Sequence, residues 1–367
     1  MTSPLAIPFE LRTLELRPHT LALAEPLVTG RGRYHERRLT LLRAELRIGD
    51  TTAHGFGEVA ALPGWSDVTP EALDAAARRI GCPAEFGAID DLDAVLPEAG
   101  RLRALRFGLE CALLDALCRA ADRSLAAVLA ERRDTRALDS VPVQLTLGDD
   151  DADALVTALR AARARGFGCA KLKVGARRPG EDIRRIGAVH EAVPEIRLRL
   201  DANGAWRVGE ALEVLAGLPA DGVELVEQPV ADADFEPLLA TYDGAGPVIA
   251  ADESCAIPGR AAQLLAVPGL GAVVVKPAAL GGLLRADALF DAARAAGVGV
   301  VVSNLMESAV GRRAVAHLAA SRPDLEGPHG LATGSWFARD LAEPDRIEDG
   351  RLLLPPGPGL GADLEPA

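Results

Sequence analysis

An α/β fold is predicted for this 367-residue chain: an N-terminal α+β capping unit over residues 1–140, then a (β/α)8-type barrel over 141–340. Three observations predict it. From Val141 onward, short apolar stretches alternate with helical stretches of ten to fifteen residues. Polar residues close those apolar stretches at near-constant spacing. No GxGxxG or GxxxxGKS/T phosphate loop marks the alternative, a doubly wound open sheet.

In the capping unit, residues 37–47 (RRLTLLRAELR) and 53–60 (AHGFGEVA) alternate like half-buried strands, with Gly49 and Asp50 as the turn between them. Residues 102–121 carry apolar side chains at helical spacing. The barrel strands are then read as 141–147, 170–175, 196–204, 222–229, 247–254, 272–280, 299–304 and 328–334. Near-continuous apolar strands of this kind suit a parallel sheet covered by helices. Their ends are marked by Lys173, Asp201, Glu227, Asp252, Lys276 and Ser303, at intervals of 28, 26, 25, 24 and 27 positions. That is one βα unit per interval, and a barrel collects such residues at one mouth. The turn-rich tail, 341–367, is expected to pack back on the capping unit.

Composition narrows the function. With 53 acidic against 40 basic residues and a net charge of −13, a nucleic-acid surface is disfavoured and a small-molecule partner is the default expectation. No apolar run approaches the roughly 18 residues of a spanning helix, and the first residues lack signal-peptide character. The expected compartment is the cytoplasm, with no membrane partner. Five cysteines without a CxxC read as reduced packing residues. Of the 40 basic residues 37 are Arg, and the only lysines are Lys171, Lys173 and Lys276.

Asp201, Glu227 and Asp252 end three successive strands, and three hard carboxylates without His or Cys suit Mg2+, or Mn2+, better than zinc. The plainer alternative is that they cap helices. Lys171 and Lys173 stand two apart on one strand and so share a face. Mutual repulsion and desolvation are expected to favour their neutral amines, which could serve as bases. Lys276 lies across the barrel. In this arrangement a carboxylate substrate chelates the cation, a lysine removes the α proton, and the enediolate is held electrostatically.

The order KLKVG (171–175), LDANGAW (200–206), EQP (227–229), ADES (251–254) and KP (276–277) resembles the muconate-lactonizing subgroup of the enolase superfamily over nearly the whole chain. Within it, RRLTLLRAEL followed by GFGEVAALPGWSDVTPEAL, VVSNLMESAVG (301–311) and HGLATGSWFARDL (329–341) look like o-succinylbenzoate synthases. The resemblance implies an enolase-like barrel whose capping domain is completed by the tail. It implies Mg2+ on Asp201, Glu227 and Asp252, proton transfer by Lys173, enediolate stabilisation by Lys276, and contact of Lys171 with the carboxylate. Ser303 and Gly330 would touch the succinyl tail, while Asn203 and Glu253 would orient ligands and lysines.

The implied reaction is dehydration of 2-succinyl-6-hydroxy-2,4-cyclohexadiene-1-carboxylate to 2-succinylbenzoate, in menaquinone biosynthesis. Loops 24–38 and 61–68 would form the lid, with Arg31 or Arg33 as carboxylate partners and Trp65 packing on the ligand. Dipeptide epimerases typically carry Asp-x-Asp at the eighth strand, where this chain reads GLATGS (330–335). N-succinylamino acid racemisation uses the same two-lysine site and stays open. A non-catalytic binding barrel predicts erosion of the triad or a lysine, and none is eroded.

Overall fold

Alternation of apolar and polar residues makes the N-terminal third a sheet. In the computed structural model, which describes residues 3–29, 32–62, 65–66, 68–97 and 102–361, strands β1 (Phe9–Thr29), β2 (Gly32–Ile48), β3 (Thr51–Val59) and β4 (Ala84–Phe86) pair antiparallel in the order β3-β2-β1-β4. Leu42, Ala44 and Leu46 of β2 are fully buried, and the residues between them are half-exposed. Segment 24–38, expected as loops, continues the β1/β2 hairpin instead, with Leu27 opposite Tyr34. The register shifts between Ala22 and Leu27, where Pro26 cannot donate to the ladder.

The sheet closes over the helix Arg103–Ala120, which is buried on nearly every face, as a helix between two layers must be. Gly57 makes the close approach: a Cβ there would lie 1.9 Å from the Gly108 carbonyl oxygen. Buried Asp115 of this helix accepts from Phe56 N of β3 at 2.9 Å and from Leu360 N of the tail at 2.8 Å. The tail also returns to the barrel, where β13 (Ile347–Glu348) and β14 (Arg351–Leu353) form a hairpin that pairs with β5 (Ser140–Pro142).

The barrel wall is parallel. Strands β6 (Leu145–Leu147), β7 (Cys169–Lys173), β8 (Arg197–Asp201), β9 (Val223–Glu227), β10 (Val248–Ala251), β11 (Ala272–Val275) and β12 (Gly299–Val302) stand in sequence order. The predicted eighth strand is reduced to two parallel bridges, Val143 to His329 and Ser303 to Gly330, which join β12 back to the start of the ring. Two of the helices between the staves begin on side-chain caps: Asp151 accepts from Ala154 N, and Ser308 accepts from Val310 N. Among the described residues no helix is long and apolar enough to cross a membrane.

His329 belongs to that closing stave. Its buried Nδ1 accepts from Val302 N at 3.3 Å, and burial, with Arg199 adding, pushes the imidazole down to about 3. The folded state therefore refuses a proton that the unfolded chain accepts near pH 6.5. Stability present above that pH falls as the pH drops toward 3, by up to about 1.4 kcal/mol per pH unit. His329→Asn keeps an acceptor and cannot titrate, so its Tm should fall less steeply than that of the parent between about pH 7 and pH 4.5; parallel curves would refute the assignment. Separately, Gly57→Ala should cost on the order of 3 kcal/mol in denaturant unfolding, because helix and sheet must part to admit the methyl.

Candidate active site

Barrel register sets Lys173, Asp201 and Glu227 side by side at the tips of β7, β8 and β9. Lys171, two residues deeper on the same face, sends its Nζ to Asp201 Oδ2 at 2.8 Å and to both Glu227 oxygens at 2.9 and 3.0 Å. Lys173 Nζ donates to Asp201 Oδ2 at 2.7 Å and to Asn203 Oδ1 at 2.6 Å. Asn203 holds a left-handed φ of 46° and donates in turn to Glu253 Oε1 at 2.9 Å. Across the mouth, Lys276 Nζ donates to Asp252 Oδ2 and lies 4.0 Å from the centre of the Trp65 ring.

Lys171 is not the neutral amine expected from mutual repulsion. Burial opposes the charge on Lys171, yet Asp201, Glu227 and Asp252 outweigh it and hold the ammonium protonated. Lys276 is raised likewise, burial being overcome by Asp252 and Glu227. Asp201 answers in the opposite sense: Lys171 and Lys173 outweigh its burial and keep the carboxyl well below the usual range. At Asp252 burial wins, since Lys276 only partly offsets it while Glu253 and Glu227 add repulsion, and the carboxyl rises well above its ordinary value.

The predicted metal ligands are therefore neighbours, each facing an ammonium. Among the described residues no three acidic, His or Cys side chains are drawn together around a common point. Two observations still fit a hard cation there: the donors are carboxylate oxygens, and Asp252 Oδ1 is buried without a hydrogen-bond partner.

Of the predicted site residues, Lys171, Lys173, Asp201, Asn203, Lys276, Ser303 and Gly330 line one cavity between barrel and cap. Glu227, Asp252 and Glu253 are reached through them. Ser303 Oγ donates to Gly330 O at 3.4 Å, and a Cβ at Gly330 would lie 2.7 Å from that hydroxyl oxygen. Trp65 packs on Lys276 and lines the cavity. Arg33 is exposed, and Arg31 lies outside the described residues.

Three contributors were given no individual role in the sequence reading. Gln228, buried at a φ of 41°, accepts from Asp252 N and Ser254 N and so sets the backbone that carries Asp252; the EQP motif was its only signal. Asn304 donates to Thr333 Oγ1 at 2.7 Å and forms, with Thr333, a neutral polar wall that follows β12, the strand beside the one that ends at Lys276. Tyr34, at the tip of the cap hairpin, also lines the cavity.

Known proteins share this architecture. Residues 154–367 match the family described as enolase C-terminal domain-like. The chain is 32% identical over 361 residues to an N-succinylamino acid racemase of Amycolatopsis sp, covering 96% of this chain and 94% of that protein. It is 37% identical over 223 residues to an o-succinylbenzoate synthase of Mycolicibacterium smegmatis, covering 59% and 66%. A muconate lactonizing enzyme from Pseudomonas fluorescens superposes with a TM-score of 0.83 at 24% identity, over 97% of this chain and 96% of that one, and this likeness bears on the fold alone. With the family match spanning more than half the chain and a relative similar along nearly all of it, this protein is an enzyme of the enolase superfamily.

Proposed function

We propose that this enzyme is an o-succinylbenzoate synthase, dehydrating 2-succinyl-6-hydroxy-2,4-cyclohexadiene-1-carboxylate to 2-succinylbenzoate for menaquinone biosynthesis. One observation carries the reading: Lys173 and Lys276, at the ends of β7 and β11, line one cavity whose wall at Ser303, Asn304, Gly330 and Thr333 carries no charge. Such a wall suits a succinyl arm and offers nothing to an α-ammonium group. The o-succinylbenzoate synthase relative supports the same choice.

Lys173 Nζ takes the proton from the carbon α to the carboxylate. The C–H electrons move into the carboxyl group as an enediolate, and the Lys276 ammonium on the opposite wall stabilises that charge. As the electrons return to form the ring double bond, the C6–O bond breaks and the departing hydroxyl takes the proton back from Lys173, leaving as water. Lys171 holds Asp201 and Glu227 and contacts the carboxylate. Asn203 and Glu253 keep Lys173 aimed at the cavity. Asp201, Glu227 and Asp252 would hold a Mg2+ ion, or Mn2+, which when bound supplies Lewis-acid stabilisation to the carboxylate oxygens.

Racemisation of N-succinylamino acids is the second reading. The relative similar over nearly the whole chain is a racemase, and the same opposed lysines could pass a proton between the two faces of the α carbon.

Side-by-side kcat/KM values for the cyclohexadiene carboxylate and N-succinylphenylglycine decide between the two: the first should lead by about tenfold or more, a margin of roughly 1.4 kcal/mol, and the reverse order would favour the racemase. Lys173→Arg keeps the charge and removes an accessible base, so kcat should fall by at least about a thousandfold with little change in Tm; retained turnover would remove Lys173 from its role. EDTA should abolish turnover, and Mg2+ added to the chelated protein should raise Tm through preferential binding to the folded state. An unchanged Tm and full activity in EDTA would dismiss the cation.

A further inference from the structure

Arg37, on β2 of the cap, is a buried cation that the chemistry above leaves unused. It is 3% exposed and spends its donors on backbone. Nε donates to Met306 O at 3.2 Å, and Nη2 to Ala60 O at 3.2 Å and Leu305 O at 3.4 Å, while Nη1 donates to Ala61 O. Two of these carbonyls belong to the segment after β3 that leads into Leu62 and Trp65. The other two belong to the segment after β12 whose Leu305 and Met306 form the facing wall of the cavity.

A second tie lies beside it. Glu58 of β3 accepts from Ser308 N at 3.0 Å and Gly311 N at 3.2 Å, at the start of the helix Ala309–Ala320, and also from the Ser308 hydroxyl. Glu307 accepts from Leu305 N at 2.5 Å, so the turn 304–308 is held by carboxylates on both sides of the Arg37 charge. Met306 needs that restraint: it adopts a φ of +60°, which a side chain other than glycine occupies at a cost and keeps only where its surroundings fix it.

We propose that Arg37 is a positioning residue that joins the cap segment 60–62 and the barrel turn 304–308 into one rigid wall, setting substrate affinity without touching substrate. A planar guanidinium can donate to four carbonyls at once, which the compact ammonium of lysine cannot. Lys173, the proposed base, and Asp201 and Glu227 stand on β7 to β9, outside this tie. Its loss should loosen the distal half of the cavity and spare the proton-transfer half.

The proposal rests on the cavity being the substrate site, and two readouts separate the questions. For Arg37→Lys and Arg37→Met, steady-state kinetics should show KM raised roughly ten- to a hundredfold with kcat within about threefold, the pattern of lost uniform binding. Methylguanidinium added to Arg37→Ala should lower KM again. Hydrogen exchange, which needs no substrate, should show peptides over 60–62 and 304–308 losing protection together while those over β7 to β9 keep theirs. An unchanged KM in a variant with lowered Tm, or loss of protection in only one segment, overturns the proposal. Should Arg37→Met not fold, Arg37→Lys carries both measurements. If the parent enzyme turns over neither candidate substrate, exchange still decides the tie, and only the reading of the reaction falls.

Discussion

The mouth of this barrel is organised by one electrostatic constraint: buried carboxylates must be answered by buried cations. Asp201, Glu227 and Asp252 are buried at the ends of three neighbouring strands. An isolated carboxylate there would cost several kcal/mol in desolvation. Lys171 meets the constraint most completely, bridging Asp201 and Glu227 with a single ammonium. Asp252 meets it least well, since one oxygen has no partner and its affinity for a proton is raised. That residual deficit of positive charge falls where a divalent cation would relieve it.

The same constraint explains why Lys171 departs from the reading of an amine neutralised by its neighbour on a shared strand face. Sequence spacing puts Lys171 and Lys173 together, and it also puts Asp201 in register with Lys173. Only the coordinates show that Asp201 and Glu227 both lie within hydrogen-bond distance of Lys171 and hold its charge. A strand period of two conveys direction but carries no distance to the next strand.

Much of the fold was legible in the chain for physical reasons. The recurrence of polar residues at the ends of apolar strands is a direct imprint of the βα unit, and seven of the eight predicted strands form the parallel wall. The eighth was legible as a place in the order but not as a strand, because two bridges suffice once its neighbours are fixed. The cap hairpin was harder to read. Residues 24–38 are polar and contain Pro26, which locally signals a loop, and tertiary pairing with β2 overrides that signal. Gln228, Asn304 and Arg37 act through backbone groups or through residues distant in sequence, so their types alone did not single them out. Lys173, Asp201 and Lys276, by contrast, are recognisable because strand-end position and residue type coincide.

The placement of the three lysines has a practical corollary. Because Arg supplies every other basic side chain, all ε-amines of this protein lie in one cavity. Reductive methylation with labelled formaldehyde would therefore place NMR probes in the active site without mutagenesis, at Lys171, Lys173 and Lys276. Their accessibility differs, with Lys173 the least buried of the three. The order in which the amines react would report how the cap admits a small molecule to the floor of the barrel.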